Sequence, residues 1–183
     1  MTKFSRSIIF LLFFITTSSF IPKGKIIQAD KTLSSIQYSV NHPLHSATAV
    51  SDDFICNIDY NVDLHQVDKV GVAIKVSTFD SKNSNRDSNA MEAVEALKYP
   101  YVKFISSSVT SSPGKLEIMG DLTFHGIAKE IFFIAEQKTE ADKLTVQGSF
   151  TISLDAFKVE RPGLLGMKID DEVKVEFTAV FII

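Results

Sequence analysis

The sequence predicts an all-β protein: one eight-stranded antiparallel β-barrel carrying a single short helix. Three observations lead there. Beyond the first 20 or so residues, apolar and polar side chains alternate with period two in run after run, the pattern of a strand with one buried and one solvated face. Eight such runs occur, separated by segments rich in Gly, Pro, Asn, Asp and Ser. Only one stretch shows helical spacing instead. Eight antiparallel strands closed on themselves enclose a space suited to one elongated apolar ligand, or to side chains alone.

At the start of the chain, Lys3 and Arg6 precede an unbroken apolar run from Ile8 to Ile15, and Thr16, Thr17, Ser18 and Ser19 follow. A charged start, a short apolar run and small residues make a secretory signal peptide, because a membrane span takes about 20 apolar residues. Residues 1–19 are read as the signal and 20–183 as the mature domain, with a new N-terminus near Phe20 and a periplasmic or secreted location. The remaining length, with no linker or repeat, suits a single domain with a substantial core. A formal net charge of −3 and a pI near 5.8 without a basic run argue against nucleic acid, and leave an anionic membrane at most a transient partner. Cys56 is the only cysteine, so no internal disulfide forms. It alternates with Phe54 and Ile58, which reads as a buried, inert thiol.

The strands follow in order. Ser35 to Asn41 sets Ile36, Tyr38 and Val40 against polar neighbours, and Asp53 to Asn61 does the same with Phe54, Cys56, Ile58 and Tyr60. Lys69 to Ser77 continues with Val70, Val72, Ile74 and Val76, and Tyr101 to Ser107 contributes Val102 and Phe104. Leu116, Ile118, Leu122 and Phe124 share one face of the next strand, and Gly126 marks the turn into Glu130 to Glu136. That strand is apolar on both faces, with Phe132 and Ile134 opposite Ile131 and Phe133, and is expected to be covered from outside or to lie near a mouth. Leu144 to Ile152 is the seventh strand, with Gly148 inside it where the barrel bends. The eighth, Glu172 to Ile183, puts Val173, Val175, Phe177, Ala179 and Phe181 on one face.

Between the third and fourth of these strands, Met91, Val94 and Leu97 recur at helical spacing. The expected helix, Asp87 to Leu97, is capped by Asp87 or Ser88 and stopped by Pro100. It is placed to lid one end of the barrel. Lys158 to Asp171, with Pro162, Gly163 and Gly166 around Leu164 and Leu165, reads as an irregular loop bordering the same entrance from another side.

Motifs for chemistry are sparse. His42 and His45 flank a Pro-containing turn, and His65 and His125 complete the set, so spacing alone supplies one close pair with no carboxylate in it. A metal site needs three or four converging ligands with outer support, and none is expected. No Gly-x-Ser-x-Gly, activated cysteine or phosphate loop is present, and neither catalytic residue nor cofactor is assigned. Arg86 and Asp87 precede the expected helix, where a charged pair serves the helix dipole or meets a ligand head group. By alternation, the residues lining the lumen are Tyr38, Val40, Val72, Ile74, Phe104, Phe124, Phe133, Phe150 and Phe177. Whether that lumen is hollow or filled stays open.

Three segments in order carry a family resemblance. Asp30, Ser34, Ser35, Ile36, Tyr38, Val40 and His42 partly match a first-strand pattern in which His usually stands where Ser34 does. Thr78, Arg86-Asp87, Tyr99-Pro100, Phe104 and Ser106 match a second. Gly120-Asp121-Leu122-Thr123-Phe124-His125-Gly126-Ile127-Ala128-Lys129 matches a third, the most specific. Together they resemble the YceI-like family of secreted, lipid-binding β-barrels. The chain departs from that pattern at Asp53-Phe54, where Gly-Phe is common, and at Glu95-Ala96-Leu97-Lys98, where Asp-Phe-Phe-Asp is common. The resemblance implies a lipocalin-like barrel, export to the periplasm, a polyisoprenoid or related long-chain amphiphile in the lumen, and no catalysis. The competing readings are a metal- or small-molecule-dependent stress enzyme using His42, His45 and His125, and a filled-barrel interaction module.

Overall fold

The computed structural model describes residues 24–164 and 166–183. In chain order the strands are β1 (Gly24–Gln28), β2 (Ser35–His42), β3 (His45–Ser51), β4 (Phe54–Asn61), β5 (Gln66–Lys75), β6 (Tyr101–Ser112), β7 (Lys115–Phe124), β8 (Ile127–Glu140), β9 (Lys143–Ser153), β10 (Gly163–Leu164), β11 (Met167–Lys168) and β12 (Glu172–Ile182). Helix α1 is Ser84–Ala93, and short 3-10 turns span Val76–Thr78 and Asp155–Phe157. Ten strands make one antiparallel sheet in the spatial order β1-β4-β5-β6-β7-β8-β9-β12-β2-β3, while β10 and β11 form a separate ribbon. The class is therefore the expected all-β one, with ten strands in the main sheet in place of eight. The two additional strands are β1, only five residues long, and β3, whose inward residues are the small Ala47 and Ala49. Neither offers the bulky alternation that marks the others, and as a result α1 lies between the fifth and sixth strands, not the third and fourth.

The sheet curls until its ends meet at two points. After β1, the Asp30 N–H donates to Val180 O of β12 at 2.8 Å. After the first 3-10 turn, Asp80 and Val50 of β3 exchange both backbone hydrogen bonds, at 2.9 and 3.1 Å. Buried Ser34 holds the first meeting point by accepting from the Val180 N–H at 3.0 Å. One end of the barrel carries the tight connections β4–β5, β6–β7 and β8–β9, and there Phe181, Ile58, Leu116, Leu144 and Val67 are the most deeply buried large apolar side chains. The other end carries α1, the tip of the β2–β3 hairpin and the 158–171 connection. The β7–β8 turn at that end has positive φ at both central residues, 49° at His125 and 73° at Gly126, the geometry of a two-residue hairpin whose twist matches its strands.

Three further expectations change. The helix starts at Ser84 because Asn83 caps it, its side chain accepting from the Arg86 N–H at 3.1 Å, so Asp87 falls inside the first turn, where its charge suits the dipole. Past Val94 the chain leaves the helix through Glu95 at φ 48°, and Leu97 is fully exposed instead of sharing a face with Met91 and Val94. On β8, Phe132 is 59% exposed and Ile134 46%, so nothing among the described residues covers the outer face. Met119, directly across from Phe132 on β7, extends that exposed apolar area.

Candidate functional site

The barrel is hollow. A cavity of about 610 Å³ runs from the packed end to the α1 end. Tyr38, Val40, Val72, Ile74, Phe104, Phe124, Phe133, Phe150 and Phe177 all line it, each from the inward side of its strand. Sequence reasoning missed other parts of the wall. Phe54, Cys56, Ile58, Leu116, Leu122 and Phe181 alternate inward as clearly as the nine and were legible by the same rule. Phe79, Met91 and Val94 close the top from the segment around α1.

Inside, four phenylalanines meet. Phe133 of β8 stacks on Phe150 of β9 at 5.0 Å between centroids, and packs against Phe104 at 5.5 Å and edge-on against Phe177 at 5.8 Å. Two glycines make room for the outer rings. A Cβ on Gly120 would lie 2.7 Å from the tip of Phe104, and one on Gly148 would lie 3.0 Å from the tip of Phe177. Gly148 thus serves a close approach of side chain to backbone. Cys56 belongs to this apolar wall, 5% exposed, and burial pushes its thiol up to about 12.

Polar groups collect at the α1 end. His42, His45 and Thr48 from the β2–β3 hairpin face Asn83, Asn85, Arg86, Asp87 and Asn89 from α1 and its cap. Arg86 and Asp87 do not pair with one another; both are anchored by Ser81. Arg86 donates from Nε to Ser81 Oγ at 2.9 Å and from a terminal nitrogen to Ser81 O at 2.8 Å, and Asp87 Oδ1 accepts from the Ser81 N–H at 3.1 Å. Tyr38 reaches toward this pair. Burial raises its hydroxyl above the ordinary range and the Asp87 charge adds to that, while Arg86 opposes it. The 158–171 connection borders the same mouth through Pro162, Gly163 and Ile169. The expected exposure of Leu164 and Leu165 lies outside the described side chains, as the signal peptide lies outside the described residues.

Two of the histidines, His42 and His125, are spent on structure. His42 Nδ1 accepts from the Leu44 N–H at 3.2 Å, which leaves Nε2 to donate to Met167 O at 3.1 Å, so the neutral ring satisfies both contacts. His125 faces two acceptors, Phe157 O at 3.0 Å from Nδ1 and the Glu95 carboxylate at 2.8 Å from Nε2, so keeping both requires the doubly protonated ring. Tyr99 packs edge-on against it at 4.8 Å, and the contact clasps the end of α1 to the β7–β8 turn. Among the described residues, no three His, Cys, Asp or Glu side chains converge in a metal-binding arrangement. The His42–His45–His125 set does not come together as a site.

The profile of the YceI-like domain matches residues 28–181, spanning every strand from the end of β1 through nearly all of β12. The chain belongs to the YceI-like family. Its relatives include a UPF0312 protein of Pseudomonas putida strain F1, 27% identical over 163 residues that make up 84% of this chain and 82% of that one. Among solved structures, Burkholderia cenocepacia BcnA superposes with a TM-score of 0.74 at 19% identity, covering 83% of this chain and 98% of its own. A polyisoprenoid binding domain from Saccharophagus degradans, described as implicated in plant cell wall breakdown, gives a TM-score of 0.69 at 14% identity over 87% and 99% of the two chains. The YCEI protein of Campylobacter jejuni gives 0.58 at 20% identity over 93% and 91%. At these identities the structural likeness establishes the fold.

Proposed function

We propose that this YceI-like chain is a binding protein that holds a polyisoprenoid or similar long-chain amphiphile inside its barrel, for carriage, storage or protection. One observation carries the reading: a cavity of about 610 Å³, apolar in its depth and ringed at its mouth by Asn83, Asn85, Asn89, Arg86 and Asp87. That polarity gradient fits a molecule with a hydrocarbon tail and an oxygen-bearing head. Burial of the tail supplies affinity at about 25 cal/mol per Å² of apolar surface, and the mouth supplies orientation. The polyisoprenoid binding domain among the structural neighbours supports the same class of ligand. The polar groups at the mouth that bond to each other, Ser81 with Arg86 and Asp87, form a scaffold and not a nucleophile with its base. The nine lumen residues from Tyr38 to Phe177 are assigned as contacts of the tail.

We place the mature protein in the periplasm or outside the cell, on the charged start, the Ile8–Ile15 run and the small residues after it. Intact-mass measurement should find the mature chain starting near Phe20; the full chain retained in a membrane fraction would refute export. For the ligand, the decisive measurement is mass spectrometry of an organic extract from protein purified out of its native host. A stoichiometric isoprenoid or other long-chain lipid is the expected result. Protein that arrives empty and binds no such lipid on incubation would refute the assignment.

A further inference from the structure

We propose that the mouth of the barrel selects a lipid with an uncharged hydroxyl or carbonyl head over its phosphorylated counterpart, and that Asp87 is the residue that sets this preference; this rests on the lipid-binding reading above. The first support is charge. Arg86 and Asp87, one of each sign, are fixed beside one another on Ser81 at the mouth. Lys82, next along the chain, is held in an ion pair with Asp80 at 2.7 Å, and Lys103, which also borders the cavity, is exposed on the outward side of β6. A phosphate or diphosphate needs an excess of cations to replace its water, and this ring does not gather one.

The second support is where the donors go. The start of a helix attracts anions through its free N–H groups, but at α1 the protein's own oxygens already take several. Asn83 Oδ1 accepts from the Arg86 N–H at 3.1 Å, Asn83 O from the Asp87 N–H at 3.0 Å, and Asp87 Oδ1 from the Ser81 N–H at 3.1 Å. Arg86 spends two further donors on Ser81. The third support is the field inside the lumen. At the Tyr38 hydroxyl the Asp87 charge opposes ionisation more strongly than Arg86 favours it, on top of the cost of burial. A negative head arriving there meets the same balance. What the mouth does offer is neutral: the Tyr38 hydroxyl, and the side-chain amides of Asn85 and Asn89, four residues apart and so on one face of α1. Each can both donate and accept, which suits a hydroxyl or carbonyl head.

The experiment is displacement of the fluorescent dye N-phenyl-1-naphthylamine from delipidated protein by farnesol and by farnesyl diphosphate, which share one tail. The parent should bind farnesol about tenfold or more tighter at about 0.02 M salt, and the diphosphate should gain on farnesol as salt rises to about 0.5 M and screens the repulsion. Asp87→Asn keeps the size of the side chain and an oxygen for the Ser81 N–H, and should cut the ratio of the two affinities about tenfold at low salt. Arg86→Gln should widen that ratio. A ratio in Asp87→Asn unchanged from the parent overturns the proposal, as does a parent that prefers the diphosphate. Should Asp87→Asn fail to fold, the parent alone decides, because a diphosphate that loses ground to farnesol as salt rises is being attracted, and that overturns the proposal. If both compounds bind equally, the head-group rule falls and lipid binding stands. If neither displaces the dye, the lipid-binding reading falls first.

Discussion

Val72→Trp separates a hollow barrel from a filled one by making one substitution do opposite things in the two cases. Val72 lines the cavity from β5, across the ladder from Phe104 on β6 and Cys56 on β4, and is only half-buried. Replacing its three side-chain carbons by the ten heavy atoms of Trp adds seven. At about 15 Å³ of open space per water-sized atom these take up about 105 Å³, roughly a sixth of the 610 Å³ available. The indole therefore enters space that is already there. In a core packed to native density the same addition costs about 1–3 kcal/mol or more by overpacking, whereas here the delipidated variant should unfold within about 1 kcal/mol of the parent. Tail capacity should fall in proportion, with the longest prenols displaced first. The chain contains no other Trp, so the new residue reports on itself: denaturant titration followed by its emission gives stability and slope in one measurement, and lipid addition should change that emission. Loss of 3 kcal/mol or more with an unchanged slope would refute the cavity, and the protein would then be a solid barrel whose surfaces, not its interior, carry its role.

At the packed end the sign reverses: Leu116, 1% exposed, should cost about 2–5 kcal/mol on truncation to Ala, read from a urea midpoint, and a cost under 1 kcal/mol would mean that the end is loose. Cys56, with its thiol pushed up to about 12 by burial, should resist a disulfide reagent at pH 8 in the folded state and react at once in denaturant; fast labelling of native protein would contradict its place in the wall. His125→Leu removes the donors to Phe157 O and Glu95 and should lower stability by about 1–3 kcal/mol while speeding hydrogen exchange in α1, and an unaltered helix would show that the clasp is idle. Lys75→Ala, on the outer face beside inward Ile74, should change neither stability nor lipid recovery measurably, and a large effect on either would mean that the strand is turned the other way.

How far the sequence could be read depended on side-chain size. Wherever large apolar residues alternated, as along β12 or β7, register and inward face followed directly, and the nine residues assigned to the lumen all line the cavity. Where the inward residues are Ala47 and Ala49, the same geometry left no trace, because period two is visible only when the two faces differ strongly in hydropathy. The helix start was displaced for a different reason. Asn83, Ser84, Asp87 and Ser88 are all acceptable caps, and the choice of Asn83 depends on the tertiary anchor that Ser81 gives to Arg86 and Asp87. Hollowness was not legible at all. Phe104, Phe133, Phe150 and Phe177 could fill a narrow barrel, and only the curvature of ten strands leaves them clustered around Phe133 with space beside them.

The manner in which the sheet meets itself has a mechanical consequence. Neighbouring strands elsewhere are zipped by long ladders, eleven residue pairs between β9 and β12, and parting them means breaking many bonds together. The meeting points are spot welds: Val50 with Asp80 on one side, and Asp30 and Ser34 with Val180 on the other. A wall fastened this way widens by unbuttoning, since a few bonds yield while every ladder stays whole, and such partial openings lie far below global unfolding in free energy. A bulky greasy guest could then be swallowed and released by girth, with the staves of the barrel spreading at the seam and springing back, so that the amides of Asp30, Val50 and Asp80 should exchange with solvent well before those of β9 and β12.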